Sequence, residues 1–267
     1  MRRKMVLTGA LLVLVVVGVQ PVLAITWGEP DTEHTYVGAM VVDWPGYGPY
    51  QWCSGTLVHP RVVLTAGHCT FDLDAYGVET VWVNFDEYAL NERTLLGVEE
   101  VITHPDFYWG PTSDPHDVAA LILKKPAKRI TPAVLPEPYL LDRLEEEGIL
   151  REGVDGAKFT LVGYGGILEW PPPQISYDDY RRFAESEFKT LLKAWLRMSQ
   201  NQATDDGGTC FGDSGGPSFW TDPETGEEIL AGVTSWGDAQ CVSSAFNYRV
   251  DIPQTLDFIE DVIDSLN

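Results

Sequence analysis

Gly212-Asp213-Ser214-Gly215-Gly216-Pro217 is the stretch on which the reading of this chain turns. The glycines around Ser214 can take backbone conformations closed to other residues, so the turn can aim consecutive N–H groups at one point. A serine hydroxyl is a poor nucleophile until a base takes its proton. Upstream, Thr65-Ala66-Gly67-His68-Cys69 offers that base, and His116-Asp117-Val118-Ala119-Ala120-Leu121 offers a carboxylate to orient it. Taken singly, the serine could be structural, the histidine a buried one and the aspartate a turn cap. Together, in the order His, Asp, Ser, they point to nucleophilic acyl transfer.

Outward from these motifs the chain reads as β structure. From Ile25 to about Ala133, short apolar runs rich in Val, Leu and Thr are punctuated by turns such as Pro45-Gly46 and His59-Pro60. Leu57 to Thr65, Thr80 to Phe85 and Val118 to Leu123 are the clearest strands, and the proline-rich Thr131 to Pro138 reads as a connector. A second β region follows, with strands expected over Lys158 to Gly163, Pro217 to Trp220, Ile229 to Trp236 and Phe246 to Val250. Leu256, Ile259, Ile263 and Leu266 fall on one helical face, so Gln254 to Leu266 should be a docked terminal helix. Between the regions, Glu169 to Gln202 carries Trp170-Pro171-Pro172-Pro173 and then Phe188, Leu191, Leu192, Trp195 and Leu196 at helical spacing, which leaves strand, helix or both open.

Composition narrows the class further. With 267 residues, 44% hydrophobic and 22% charged, the chain has enough apolar material for a real core. Met1-Arg2-Arg3-Lys4, the apolar run Met5 to Val19 and Pro21-Val22-Leu23-Ala24 have the layout of a secretory signal peptide, and the run is short for a bilayer span. The expected divisions are therefore a leader over 1–24, an N-terminal β unit over 25–133 and a C-terminal β unit with its helix over 134–267. The formal charge of -22 becomes more negative once Arg2, Arg3 and Lys4 are removed, which disfavours nucleic acid as a partner and suits a soluble exported protein. Cys53, Cys69, Cys210 and Cys241 contain no CxxC pair, so in an exported chain two disulfides are expected rather than a metal site, with three pairings open. No metal and no cofactor is expected. His34, His59, His104 and His116 read as surface or packing residues.

The three motifs and their order resemble the chymotrypsin-fold, trypsin-like serine peptidases. Ser54-Gly55-Thr56-Leu57-Val58, Val233-Thr234-Ser235-Trp236-Gly237 and Tyr248-Arg249-Val250 are similar to further family segments, so the resemblance runs over residues 25–267 apart from Glu169 to Gln202. It implies an all-β fold of two tandem six-stranded antiparallel barrels closed by a C-terminal helix. It implies a secreted endopeptidase, monomeric, acting on polypeptides, with no stable membrane association after signal cleavage. His68 would be the general base, Asp117 its orienting carboxylate and Ser214 the nucleophile that forms the acyl-enzyme. The N–H groups of Gly212 and Ser214 would form the oxyanion hole. It also implies the pairings Cys53–Cys69 and Cys210–Cys241. The small number of disulfides is more like a minimal or bacterial member.

The resemblance carries expectations about specificity and activation. Gly208 falls at the floor of the primary specificity pocket, where members that cleave after Arg or Lys carry aspartate, so tryptic specificity is not expected. Ser235, Trp236 and Gly237 would form the substrate-binding strand. Counting back from Tyr248 puts Phe246 inside the pocket, which predicts a shortened apolar pocket for small or medium uncharged side chains; Asp205 or Asp206 could reach it only through a rearranged loop. Ile25-Thr26-Trp27-Gly28 resembles the start of the active family members, whose terminal ammonium pairs with the aspartate before the nucleophile, here Asp213. Ile25 directly follows the expected signal-cleavage site. Two competing readings remain: an inactive binding module on the same fold, and an α/β-hydrolase, which the chain order of the three residues excludes.

Overall fold

The computed structural model describes residues 25–110, 112–153, 157–169 and 174–266, so the leader expected over 1–24 lies outside the described residues. Among the described residues the chain is mostly strand. It runs β1 (Glu29–Pro30), β2 (Val37–Trp44), β3 (Gly48–His59), β4 (Val62–Thr65), β5 (Val81–Asn84), β6 (Leu96–Thr103) and β7 (Ala119–Leu123), then α1 (Leu140–Glu146). It continues with β8 (Lys158–Gly163), β9 (Ile167–Glu169), β10 (Gln174–Ser176), β11 (Arg182–Leu191), β12 (Trp195–Ser199), β13 (Pro217–Thr221), β14 (Glu228–Gly237) and β15 (Ser244–Arg249), and closes with α2 (Pro253–Asp264).

Two closed six-stranded antiparallel barrels result. The first has the order β2-β3-β4-β7-β6-β5, closed by pairing of β2 with β5. The second has the order β11-β12-β15-β14-β13-β8 and closes because β8 pairs with both β13 and β11. Closure leaves no free sheet edge around either ring, which removes the commonest route to edge-to-edge aggregation. β1 belongs by sequence to the N-terminal half, yet it pairs with β11 of the second barrel. The first strand therefore straps one barrel to the other.

The apolar runs explain the packing. β4 (Val62, Val63, Leu64) and β7 (Ala119 to Leu123) are buried on both faces, because one face lines the barrel and the other is covered. Part of that cover is α2, whose Phe258, Ile259 and Val262 join the same core as Val62 and Leu64. Burying each such side chain stabilises by about 1.5–3 kcal/mol. Pro253 starts α2, where its missing N–H costs nothing. The buried stripe is Thr255, Phe258, Ile259 and Val262, with Leu256, Ile263 and Leu266 half-buried at its border. The expected face was thus rotated by part of a turn.

Two readings of the sequence are refined. Leu57 to Thr65 is not one strand: β3 ends at His59, the chain turns at Pro60, and β4 begins at Val62. The helical spacing within Glu169 to Gln202 does not form a helix among the described residues. Phe188, Leu191, Trp195 and Leu196 lie on β11 and β12, joined by a tight turn in which Leu192 N donates to Trp195 O at 2.8 Å. Barrel closure requires two strands here, and that long-range pairing overrides local periodicity.

Candidate active site

The interface between the barrels gathers His68, Asp117, Ser214 and Ser235 from four separate stretches. His68 sits on the single 3₁₀ turn Gly67–Cys69 that follows β4, and the Cys53–Cys69 disulfide ties this turn to β3. Asp117 directly precedes the β7 run and is buried. One Asp117 carboxylate oxygen accepts the backbone N–H of His68 at 2.8 Å, and the other lies 2.9 Å from His68 Nδ1. Ser235, from β14 of the other barrel, donates its hydroxyl to the same carboxylate. Burial opposes ionisation of Asp117, but the neighbouring His68 charge and these hydrogen bonds outweigh it and hold its pKa below the usual carboxylate value. A carboxylate that stays ionised and fixed selects the imidazole tautomer with hydrogen on Nδ1, leaving Nε2 as the free lone pair.

Ser214 lies on a turn between the Cys210–Cys241 disulfide and β13. Several carbonyls and amides of the turn are tied to neighbouring segments. Ser54 N donates to Ser214 O at 2.7 Å, Gly215 N to Thr234 O at 2.8 Å and Gly216 N to Asp213 O at 2.8 Å. Gly212 O accepts from both Gln51 Nε2 (2.9 Å) and Ser54 Oγ (3.0 Å). Gly212 itself has φ of +96°, a region that favours glycine, and an added Cβ would press on Gln51 and Gly165. By contrast, the amides of Gly212 and Ser214 have no acceptor among the described residues. They are free to receive an oxygen.

His68 and Ser214 line one open cavity of about 500 Å³, with Thr209, Ser235, Trp236 and Gly237 on its walls. No hydrogen bond joins Ser214 Oγ to His68 Nε2 in this structure, among the described residues. Such bonds are commonly long before substrate arrives and tighten in the complex. Trp109, two-thirds exposed, lies 5.7 Å from the His68 ring and stacks on Phe71. Tyr50, Trp52 and Tyr177 extend the aromatic lining.

Other expected site residues fall differently. Ser235, Trp236 and Gly237 line the cavity, but Phe246 does not. Phe246 stacks flat on Trp236 at 3.7 Å with the Arg197 guanidinium over it at 5.6 Å, because the irregular β14–β15 register between Thr234 and Trp236 sets these two side chains opposite each other. Phe246 therefore backs Trp236, which lines the cavity. Gly208 is buried and also stands back from the cavity; its neighbour Thr209 is the lining residue. Asp205 is exposed, and Asp206 accepts Glu187 N and Thr204 Oγ, away from the cavity. Asp213 is fully buried, and its oxygens accept Gly165 N at 2.7 Å and Cys210 N at 2.8 Å. Burial pushes its pKa up to about 7 despite these two donors. Ile25 is fully buried with φ of +47°, and Thr26 pairs with Gly208 in both directions.

The cysteines pair as the resemblance implied, Cys53 with Cys69 and Cys210 with Cys241. Cys53, Cys69 and His68 come within 4.8 Å of one another, but disulfide sulfurs offer a metal no thiolate. His104 and His116, expected as packing residues, stack at 4.6 Å, with Phe258 packed on His104. Sequence reasoning passed over Gln51, Ser54, Trp109 and Gln200. Gln51-Trp52 beside Cys53 carried a weak signal, whereas nothing local marks Gln200.

Two antiparallel barrels thus bring a serine turn, a histidine and a carboxylate to their junction. The family model for trypsin matches residues 25–259, and the chain belongs to this family. It is 28% identical over 204 residues to serine protease 28 of Mus musculus, covering 69% of this chain and 68% of that protein. It is 31% identical over 209 residues to kallikrein 1-related peptidase b21 of Mus musculus, covering 71% of each. To venom serine protease 34 of Apis mellifera it is 26% identical over 208 residues, covering 73% of this chain and 48% of that protein. The chain is a serine-type endopeptidase, and its substrates are polypeptides. No described helix is long and apolar enough to cross a membrane.

Proposed function

We propose that this protein is exported, matures by loss of residues 1–24 and hydrolyses peptide bonds through His68, Asp117 and Ser214. The observation that carries the reading is the pairing of His68 with a buried, three-donor Asp117 on the rim of a cavity that also holds Ser214 and two amides without acceptors. Ser214 Oγ attacks the scissile carbonyl while His68 Nε2 takes its proton. The oxyanion settles on the N–H groups of Gly212 and Ser214, each worth about 3–4 kcal/mol in such sites. His68 returns the proton to the leaving amine, and water then cleaves the Ser214 ester by the same route. Secretion is supported by the leader-like 1–24 and by the two disulfides.

A fluorophosphonate probe tests this directly. The folded protein beginning at Ile25 should be labelled at Ser214, and Ser214→Ala should not be. Equal labelling of both, or none of either, would favour an inactive binding module.

Specificity is proposed to exclude cations. Among the described residues the one carboxylate that lines the cavity is Asp238, and its oxygens accept the amides of Gln240, Val242, Ser243 and Ser244. An arginine or lysine side chain in the cavity would meet no carboxylate among the described lining residues except Asp238, whose oxygens already accept four amides.

A further inference from the structure

Behind the cavity that holds Ser214, one residue bonds beside both ends of the Cys210–Cys241 disulfide. Gln200 follows β12 and is fully buried. Its backbone N–H donates to Ser243 O at 3.0 Å, on the loop closed by Cys241. Its side-chain Nε2 donates to Thr209 O at 2.6 Å, on the opposite wall. A methyl added to Gly208 would overlap the Gln200 amide, and one added to Gly237 would come 3.7 Å from Gln200 Oε1. The Thr209 carbonyl fixes which way the amide faces, because only Nε2 can donate to it. Gln200 Oε1 is consequently left buried with no donor among the described residues.

An unpaired buried amide oxygen is costly, and a glutamine here gains only one side-chain hydrogen bond in return. Stability does not explain the residue. Its position does: the amide packs against Gly208, Thr209 and Gly237, and so backs the cavity wall that Thr209 and Gly237 form.

We infer that Gln200 is the specificity-determining plug of the substrate pocket. It limits the residue on the acyl side of the scissile bond to short uncharged side chains, the class of Ala, Ser, Thr and Val. The inference rests on the peptidase reading above and deepens it. It assigns the limit on side-chain size to a residue that backs Thr209 and Gly237, whereas Phe246 backs Trp236.

The test compares Gln200→Gly, which empties the space, with Gln200→Met, which keeps its volume and removes the unpaired oxygen. On peptide substrates, Gln200→Gly should raise kcat/KM for Leu or Met relative to Ala at the acyl-side position by about 10-fold or more, the size of effect one or two methylenes produce. Gln200→Met should keep the preference for Ala and melt no lower than the unchanged protein. An unaltered preference in Gln200→Gly, or an equal shift in Gln200→Met, would overturn the proposal. A second arm needs no catalysis. In a Ser214→Ala background, calorimetry with the product peptides acetyl-Ala-Ala-Ala and acetyl-Ala-Ala-Leu should show tighter binding of the Ala peptide, and the order should reverse when Gln200→Gly is added. Reversal supports the plug even if the unchanged protein proves unreactive to fluorophosphonate, which would sink the peptidase reading alone; no reversal overturns the plug.

Discussion

Asp117 is where the chemistry of this site is set at the scale of one residue. It accepts from the His68 backbone, from His68 Nδ1 and from Ser235 Oγ, so all three donors prefer its charged form. Asp117→Asn keeps the shape but turns one acceptor into a donor, which forces His68 to present the wrong tautomer. The expected loss in kcat is about 10⁴-fold, with peptide binding little changed. The pH profile belongs to the same residues. A protonated His68 could not accept the proton of Ser214, so the proposed mechanism requires hydrolysis to fall in acid. Because the pKa of Asp117 is held low, its charge is present above the usual carboxylate range and is lost only as pH falls below it, so it adds no limb near neutrality. Steady-state rates from pH 4 to 10 check this, and a maximum below about pH 5 would contradict the roles assigned.

At the scale of the element, the segment Ile25–Gly28 holds an unresolved electrostatic problem for the turn that carries Ser214. Asp213 is sealed in protein with two amide donors and a pKa raised to about 7, so its charged form is penalised from the ordinary 3.8 upward. A carboxylate raised in this way costs the fold stability progressively as pH rises through that interval. Ile25 is meanwhile a β-branched residue at φ of +47°, an unfavourable conformation that exists only while a peptide bond precedes it. On the maturation proposed above, cleavage before Ile25 would remove the constraint and free an ammonium as the expected partner of Asp213. Protein beginning at Ile25 should therefore be active, and the same protein with one additional N-terminal alanine should lose about 100-fold or more in kcat/KM, matching the 3–5 kcal/mol typical of an uncompensated buried charge. Equal rates for the two forms would refute signal cleavage as the activating step.

The whole molecule is held together by a buried polar clasp at the barrel junction. Arg181, just before β11, donates to Asp31 at 2.6 Å, to Phe85 O at 3.0 Å and to Val37 O at 3.2 Å, and Tyr164 donates to Asp86 O at 2.7 Å. Asp31 also lies 2.6 Å from His34 Nδ1, and His34 Nε2 lies 3.2 Å from Glu228 of β14. Burial opposes the charge on His34, but Asp31 and Glu228 outweigh it and raise its pKa from 6.5 to about 9. Burial likewise opposes ionisation of Asp31, but His34 and Arg181 lower its pKa from 3.8 to about 2. The stabilisation from His34 is complete below pH 6.5 and is lost as pH rises through about 9; that from Asp31 is complete above 3.8 and is lost as pH falls through about 2. Urea unfolding should show the clasp at full strength between about pH 4 and 6.5, with about 2–3 kcal/mol lost by pH 10. His34→Phe should flatten the alkaline part of that decline. Arg181→Met, which leaves Asp31 short of a cation, should cost about 3–5 kcal/mol at neutral pH.

How much of this the sequence determined differs by the range of the interaction involved. Glycines at 212, 215 and 216, the histidine beside a cysteine and the aspartate ahead of an apolar run are local requirements, because turn geometry and an activated hydroxyl each demand particular residue types at fixed spacing. Those positions, the β character of most strands and the terminal helix were legible in the residues, and the resemblance they carried supplied the two barrels. Tertiary structure alone decided the rest. β11 and β12 are strands because closing the second ring requires them, although their apolar residues recur at helical spacing. Phe246 lies on Trp236 because the irregular pairing of β14 with β15 sets the two opposite each other, and Gln200 packs behind Thr209 and Gly237 while its backbone bonds to Ser243. Side-chain direction at such positions depends on strand register and on contacts between separate segments, which local periodicity does not encode.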